Sequence, residues 1–377
     1  MASKLNDICS YAKGKTAVAE LTAQNYISTE NMLPNKGGIT TATNLPSVDQ
    51  TQAYRKNDVL VSNIRPYFKK IWHADYDGGC SNDVLVFRAA EGVDPIFLYY
   101  VLADDTFFNY ATATSKGTKM PRGDKSAIME YGVPTLDIEA QRKIGALLRS
   151  IDQKIAINSK INDNLQQQAL AIFQQELLRD GELPEGWSIG SLLDIANYLN
   201  GLAMQKFRPA DGENGLPVLK IKELRQGSCD ASSELCSPSI KPEYIIHDGD
   251  VIFSWSGSLL VDLWCGGTCG LNQHLFKVTS DKYPKWFYYA WTAHHLDRFV
   301  SIAADKATTM GHIKREELAK AEVVIPDVAS MERIGGILQP MYDIIINNRI
   351  ENRKLAALRD TILPQLMSGE LDVSDLT

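Results

Sequence analysis

The sequence predicts an α+β protein. Two similar mixed domains, related by pseudo-two-fold symmetry, are separated by two long antiparallel coiled-coil helices. The first observation behind this is a repeat whose offset stays between 187 and 192 residues. Asp7-Ile8 with Gly14 returns as Asp194-Ile195 with Gly201. Asp58-Val59-Leu60-Val61-Ser62 returns as Asp250-Val251-Ile252-Phe253-Ser254. Pro95 with Leu98-Tyr99-Tyr100 returns as Pro284 with Phe287-Tyr288-Tyr289, and Val133-Pro134 as Ile325-Pro326. Ile144-Gly145 returns as Ile334-Gly335, and Gly181-Glu182-Leu183 as Gly369-Glu370-Leu371. A solenoid repeats every 20–50 residues or so, and a period this long marks a duplicated module. The second observation is a heptad seam that closes each half.

In chain order, residues 1–138 form the first mixed domain, 139–182 the central helix, 183–328 the second mixed domain, and 329–377 the C-terminal helix and tail. Tyr54 to Ser62 and Asp83 to Arg88 read as strands, bounded by Gly, Asn and Pro. Pro95 to Asn109 reads as a helix burying Phe97, Leu98, Val101 and Leu102; its counterpart runs from Pro284 to about Val300. The central seam is Ile144, Leu148, Ile151, Ile155, Asn158, Asn162, Leu165, Ala169 and Ile172, spaced alternately four and three. The C-terminal seam repeats it as Ile334, Leu338, Met341, Ile345, Asn348, Asn352, Leu355, Arg359 and Ile362. Asparagines at matching seam positions weaken packing but set register, which points to the two helices pairing with each other. Paired antiparallel, helices roughly 57 Å long would hold the mixed domains apart by on the order of one DNA turn. Gly145 and Gly335 mark a close backbone approach, and Pro364 is expected to end or kink the second helix. Leu183-Pro184-Glu185-Gly186-Trp187 is a hinge, with Trp187 anchoring the second domain.

Composition narrows the class. At 377 residues, 44% hydrophobic and 23% charged, the chain suits ordinary globular domains. No apolar run approaches the ~20 residues of a membrane span and no signal peptide opens the chain, so a cytoplasmic protein without membrane contact is expected. The six cysteines fall at non-repeating positions and are expected as free thiols. Of Cys229, Cys236, Cys265, Cys269 and His274, a group that could be read as a zinc cluster, only Cys265/Cys269 comes close to the usual tight pairing, and the first half has no counterpart. The net charge of −7 weighs against a simple nucleic-acid binder, although a two-fold duplicated protein suits duplex DNA.

The order of these segments resembles the DNA specificity subunit of type I restriction–modification systems over nearly the whole length. The strings that carry the resemblance are Leu183-Pro184-Glu185-Gly186-Trp187, the Val133-Pro134 and Ile325-Pro326 lead-ins, Gln141-Arg142-Lys143-Ile144, and Leu366-Met367-Ser368-Gly369-Glu370-Leu371. One departure is Met331-Glu332-Arg333-Ile334, where the family usually has a Glu-Gln pair. The resemblance implies that each mixed domain is a target recognition domain reading half of a bipartite DNA sequence. It implies that the helices set the gap and dock two methyltransferase subunits, with a restriction–translocase subunit joining them in phage defence. S-adenosylmethionine, ATP and Mg would bind those partners, leaving this chain non-catalytic and without a cofactor of its own.

Candidate DNA contacts follow from side-chain chemistry. In the first half they are Ser62, Asn63, Arg65, Tyr67 and Lys69 after a strand, and Lys116, Thr118, Lys119 and Arg122 in a later loop. In the second they are Lys206, Arg208, Ser254, Ser256, Lys306, Thr308, His312 and Lys314. Lys116-x-Thr118-x-Met120 recurs as Lys306-x-Thr308-x-Met310; the lysines read as a phosphate clamp and the methionines as core. Enzyme motifs fail: Gly14-Lys15-Thr16 lacks the glycine five residues earlier, where Cys9 stands. Asp152 with Lys154 reads as a solvated helix face rather than a nuclease site. The alternative function is a non-catalytic interaction scaffold of a defence complex that no longer reads DNA.

Overall fold

The computed structural model describes residues 3–178, 181–305, 313–368 and 370–371. The chain divides into two compact units, Met1–Gln153 with Leu355–Thr377, and Lys154–Lys354.

In the first unit, strands Cys9–Tyr11, Val84–Ala89, Val59–Ser62 and Ile71–His73 form one antiparallel sheet in that order. Val59–Ser62 is buried along its whole length because both sheet faces are covered. Alternation therefore serves two cores. Val59, Val61, Leu85 and Phe87 face a cluster with Phe97, Leu98 and Phe107, while Leu60, Val84 and Val86 face Ile27, Tyr54, Trp72 and Cys80. The second core lies against a smaller sheet, ordered Lys15–Ala17, Gln50–Tyr54, Gly78–Cys80, Tyr26–Ile27.

Two predicted elements are each split. The run 54–62 is two strands, because Arg55–Asp58 turns with Asn57 at φ 74°. Asp58 holds that turn, accepting from Arg55 N at 2.7 Å and from Arg88 Nε and Nη2 at 2.8 and 2.6 Å. The run 95–109 is two helices, Pro95–Ala103 and Asp105–Ala113. Asp104 between them is extended, and its carboxylate caps the second by accepting from Thr106 N at 2.7 Å.

The second unit repeats the larger sheet as Asn197–Asn200, Leu275–Thr279, Val251–Ser254, Leu260–Leu263. Asp250 repeats the turn, accepting from His247 N at 2.9 Å and pairing with Lys277 at 2.8 Å. The predicted 284–300 helix is again two, Lys285–His294 and Leu296–Asp305. Its smaller sheet is ordered Leu235–Cys236, Leu216–Leu219, Cys269–Leu271, Ile245–Ile246. Trp187 is half-buried against the main core of this unit, where sequence placed an anchor.

The long helices run Ile138–Leu177 and Val328–Ser368. Within the second unit they pair antiparallel through the seam asparagines. Asn158, 1% exposed, donates through Nδ2 to Asn352 Oδ1 at 2.9 Å and to Glu351 Oε2 at 2.6 Å. Asn348 Nδ2 donates to Asn162 Oδ1 at 2.9 Å, and Asn162 and Asn352 donate to the carbonyls of Ile345 and Ile155, each at 3.3 Å. Ile345 is buried, Met341 nearly so, and Leu165 packs at the edge of the same core. A buried amide needs partners, and a slipped register would leave all four short. In the first unit Ile151 is buried and Asp152 binds Arg359 of the second helix at 2.7 Å while accepting from Tyr100 Oη at 2.7 Å. Asp152 is thus a helix-pairing group, which corrects the solvated face read from sequence. Pro364 does not end the second helix, which continues to Ser368; Pro340 also lies inside it.

Both helix glycines face a helix of their own unit. A Cβ at Gly145 would lie 3.2 Å from Asp94 Oδ1 and 3.3 Å from Phe97 N; one at Gly335 would lie 2.8 Å from Trp286 Nε1.

Candidate nucleic-acid interface

Three loops of the first unit join at the end of strand Val59–Ser62. Arg65 N donates to Pro121 O at 2.8 Å, and Gly123 N to Asn63 O at 3.1 Å. The two first-half segments chosen from sequence therefore form one structure. A third loop joins them: Asn35 N donates to Phe68 O and Lys36 N to Lys69 O, both at 2.8 Å. Asn35, Lys36, Arg65 and Lys69 all have left-handed φ, 54°, 62°, 50° and 51°. Non-glycine residues hold that conformation only where surrounding bonds over-determine it, and such strain gathers at binding sites. Tyr67 and Phe68 project from this frame, 47% and 39% exposed, their rings 4.8 Å apart.

Four cations of this head, Lys36, Lys69, Lys116 and Arg122, are paired. Asp105 binds Lys36 at 2.9 Å through one oxygen and Lys69 at 2.7 Å through the other. Partial burial disfavours its charge, but the two lysines more than offset this and hold the carboxyl below its usual range. Lys116 binds Asp124 at 2.5 Å, lowering that carboxyl too, and Arg122 binds Asp83 at 3.0 Å. Thr118 and Lys119 are exposed in the same loop.

Several predicted contacts are corrected. Ser62 is 3% exposed, its hydroxyl donating to Ile64 O at 3.1 Å. Ser254 is fully buried and donates to Ser256 O and Ser258 O at 3.3 and 2.9 Å. The repeated serine ends its strand by holding the loop. Ser256 is also buried, its hydroxyl 3.1 Å from His274 Nδ1. Asn63 is 7% exposed and serves the head through its backbone. Met120, expected in the core, is 50% exposed.

In the second unit Ile313 N donates to Trp255 O at 2.9 Å, the counterpart of the bond from Gly123 to Asn63. Lys306, Thr308, Met310 and His312 lie outside the described residues. Lys314 is exposed at the N-cap of Arg315–Ala319, where the first unit has Asp124 before Lys125–Met129. Trp255 packs by its ring on His274 and Phe276 and donates to Asn200 Oδ1 at 3.0 Å. Lys206 is exposed, and Arg208 binds Glu234 at 2.9 Å. The other oxygen of Glu234 binds Lys220 at 2.5 Å, and the two cations hold its carboxyl below the usual range, Lys220 foremost. Sequence reasoning missed Asn35, Lys36, Asp105, Lys220 and Glu234. Pro34-Asn35-Lys36-Gly37-Gly38 carries a turn signal, but the partner loop lies some thirty residues on. Among the described residues, no three His, Cys, Asp or Glu side chains gather as a metal-ligand group. Nor is any helix there long and apolar enough to cross a membrane.

Comparison with known proteins matches this arrangement to one family. The model described as type I restriction modification DNA specificity domain matches residues 1–167 and again 184–356. The MjaIX type I restriction enzyme specificity subunit of Methanocaldococcus jannaschii is 27% identical, with 76% of this chain and 71% of that protein covered. The HindI specificity subunit of Haemophilus influenzae is 21% identical, with 92% and 94% covered. The crystal structure of a type I restriction–modification S subunit from M. genitalium aligns with a TM-score of 0.62 at 14% identity, covering 97% of this chain and 96% of that one, a likeness of fold.

Proposed function

The chain belongs to the type I restriction–modification DNA specificity family, and from that membership we propose that each unit reads one half of a bipartite duplex sequence. The carrying observation is the duplicated loop head at the end of the same strand, locked by the same backbone bond, from Gly123 to Asn63 and from Ile313 to Trp255. Lys69, Lys116, Lys119 and Arg122 in the first head, and Lys206, Arg208, Lys306, Thr308, His312 and Lys314 in the second half of the chain, anchor phosphates. Arg65 and Tyr67 approach base edges.

The helix pair sets the gap between half-sites and seats two methyltransferase subunits, with a restriction subunit joining. Support for seating comes from the second unit, where Ile157, Ile161, Ile337 and Ile344 are 54%, 40%, 45% and 45% exposed. Ile161 and Ile344 each immediately precede a seam residue, so they flank the seam on one side of the pair. Phe173 and Tyr342, each following a seam residue, pack into the core of the unit on the other. Exposed apolar side chains in such numbers mark a partner surface. S-adenosylmethionine, ATP and Mg belong to the partners, and the chain itself is non-catalytic.

The reading is tested by inserting one heptad after Gln153 and another after Lys354, at matching levels of the antiparallel pair, so that the asparagine register is kept. This lengthens the pair by about 10 Å with the seam in phase, and the gap should grow by about one to three base pairs. Genome-wide methylation sequencing reads the result. Unchanged half-site bases with a longer gap are expected; an unchanged gap with retained methylation would show that the helices are not the ruler. A second reading, a defence scaffold that does not read DNA, is favoured by the net charge of −7. Failure of the chain plus methyltransferase to select any sequence from a random duplex pool would favour it.

A further inference from the structure

Among the described residues, each unit contains a partly exposed carboxylate held by two cations, one on each oxygen. Asp105 takes Lys36 and Lys69; Glu234 takes Lys220 and Arg208. The two clamps are not copies. Asp105 opens helix Asp105–Ala113, whereas Glu234 lies just before strand Leu235–Cys236, in a segment without a repeat. The same geometry therefore arises twice from unrelated residues.

A carboxylate with a cation on each oxygen has the charge and the paired acceptors of a phosphodiester. We propose that Lys36 with Lys69, and Lys220 with Arg208, are backbone-phosphate sites, and that Asp105 and Glu234 occupy them as internal competitors until duplex DNA displaces them. This rests on the DNA-reading function proposed above. It also bears on a DNA reader of negative net charge: the four clamp cations are already neutralised by the chain's own acids. Phosphate contacts carry little sequence information and most of non-specific affinity. A competitor at each site weakens binding everywhere, so net binding depends on correct base contacts. At Asp105 the displaced position also lies at the positive end of a helix.

The clamps are not merely scaffolding if removing the acid strengthens binding. The experiment uses the full chain in complex with its methyltransferase subunits and a random-sequence duplex, with affinity measured across a salt series. Asp105→Asn and Glu234→Gln should each raise affinity about threefold to tenfold and steepen the salt dependence by about one unit. Adding Lys36→Gln to Asp105→Asn should cancel the gain, because the cation freed to hold the phosphate is gone. Weaker or unchanged binding by the acid-to-amide variants, with the wild type binding normally, overturns the competitor role and leaves DNA reading intact. A wild-type complex that binds no duplex overturns both. Circular dichroism of Asp105→Asn separates misfolding from lost binding, and Glu234→Gln tests the same idea on a different local fold.

Discussion

The smaller sheets of the two units share three strands and differ in where the fourth is added. Tyr26–Ile27, Gly78–Cys80 and Gln50–Tyr54 correspond to Leu216–Leu219, Cys269–Leu271 and Ile245–Ile246, with the central strand parallel to the first and antiparallel to the last. In the first unit Lys15–Ala17 adds beside Gln50–Tyr54; in the second Leu235–Cys236 adds beside Leu216–Leu219, at the opposite edge. The repeated residues thus mark a central strand of the larger sheet and its Asp turn, while the three shared strands of the smaller sheet recur in topology. Edge strands need only backbone partners, so they are free to differ between the two copies.

Fastening to the long helices differs too. In the second unit Arg349 binds Asp262 through two bonds of 2.7 and 2.6 Å, and Arg353 binds Asp248 at 2.7 and 2.8 Å and also Cys265 O. In the first, Arg149, half-buried, lies 3.9 Å from exposed Asp75. We expect Arg349→Met or Arg353→Met to destabilise the protein by about 2–4 kcal/mol, because a partly buried carboxylate loses a bidentate partner. Arg149→Met should change stability by less than about 1 kcal/mol. Urea unfolding of the three variants checks this, and equal losses would break the contrast.

Next in size are the helix glycines. Alanine gains about 1 kcal/mol of helix propensity over glycine. At Gly335 the added Cβ meets Trp286, which is 1% exposed and cannot withdraw, so Gly335→Ala should be destabilising by about 1–3 kcal/mol. At Gly145 the contacts are 3.2 Å or longer, so Gly145→Ala should be near neutral. Thermal unfolding of both variants decides it; a stabilised Gly335→Ala would mean the Trp286 contact relaxes.

The seam asparagines come third. Asn162→Leu strands Asn348 Nδ2 and should lose about 1–2 kcal/mol. Adding Asn348→Leu removes the stranded group and should recover most of it, as a double-mutant cycle would show. The doubly substituted pair should also tolerate register slips that the wild type rejects, visible as altered disulfide cross-linking between engineered seam cysteines.

The smallest expected effect is in pH. Burial holds His73 of the first unit, and His294 and His295 of the second, below the ordinary histidine value. A depressed pKa means the unfolded chain binds the proton first. Stability is full above the unfolded value of about 6.5 and falls on acidification until the folded form also protonates. His73 and His295, which are largely covered, each contribute at most about 1.4 kcal/mol per pH unit in that window, and exposed His294 much less because solvent screens it. The second unit, with two such groups, should lose hydrogen-exchange protection around Lys285–His294 before the first loses it around Ile71–His73. Loss in the reverse order would contradict this account.

Periodicity and repetition made much of this protein legible. The seam from Ile144 to Ile172 and its partner predicted both helices nearly to their ends, because a heptad records a continuous partner along many turns. The duplicated Asp58 and Asp250 marked a turn, though not as a break in the strand. That break depends on Asn57 turning left-handed, a single-residue event without a period. Similarly, Asp104 splits a helix with one side-chain cap, and apolar spacing runs straight through it.

What the sequence determined by itself was the duplication, the order of elements, the pairing of two helices through matched asparagines, and the family these define. Such features are written in local spacing and in copies that can be compared. Only tertiary structure decided which candidate contacts face outward. Ser62 and Ser254 looked alike to a reading by chemical type, and both turned inward, because a strand end must satisfy its own carbonyls before it can offer groups to a partner. Nor was the clamping of Lys36 and Lys69 by Asp105, or of Lys220 and Arg208 by Glu234, legible in the chain. Asp105 and its lysines lie far apart in sequence, and Glu234 reaches back past the helix Ile221–Gln226 to Lys220. Charge pairing is a property of distance in space, which no spacing along the chain encodes.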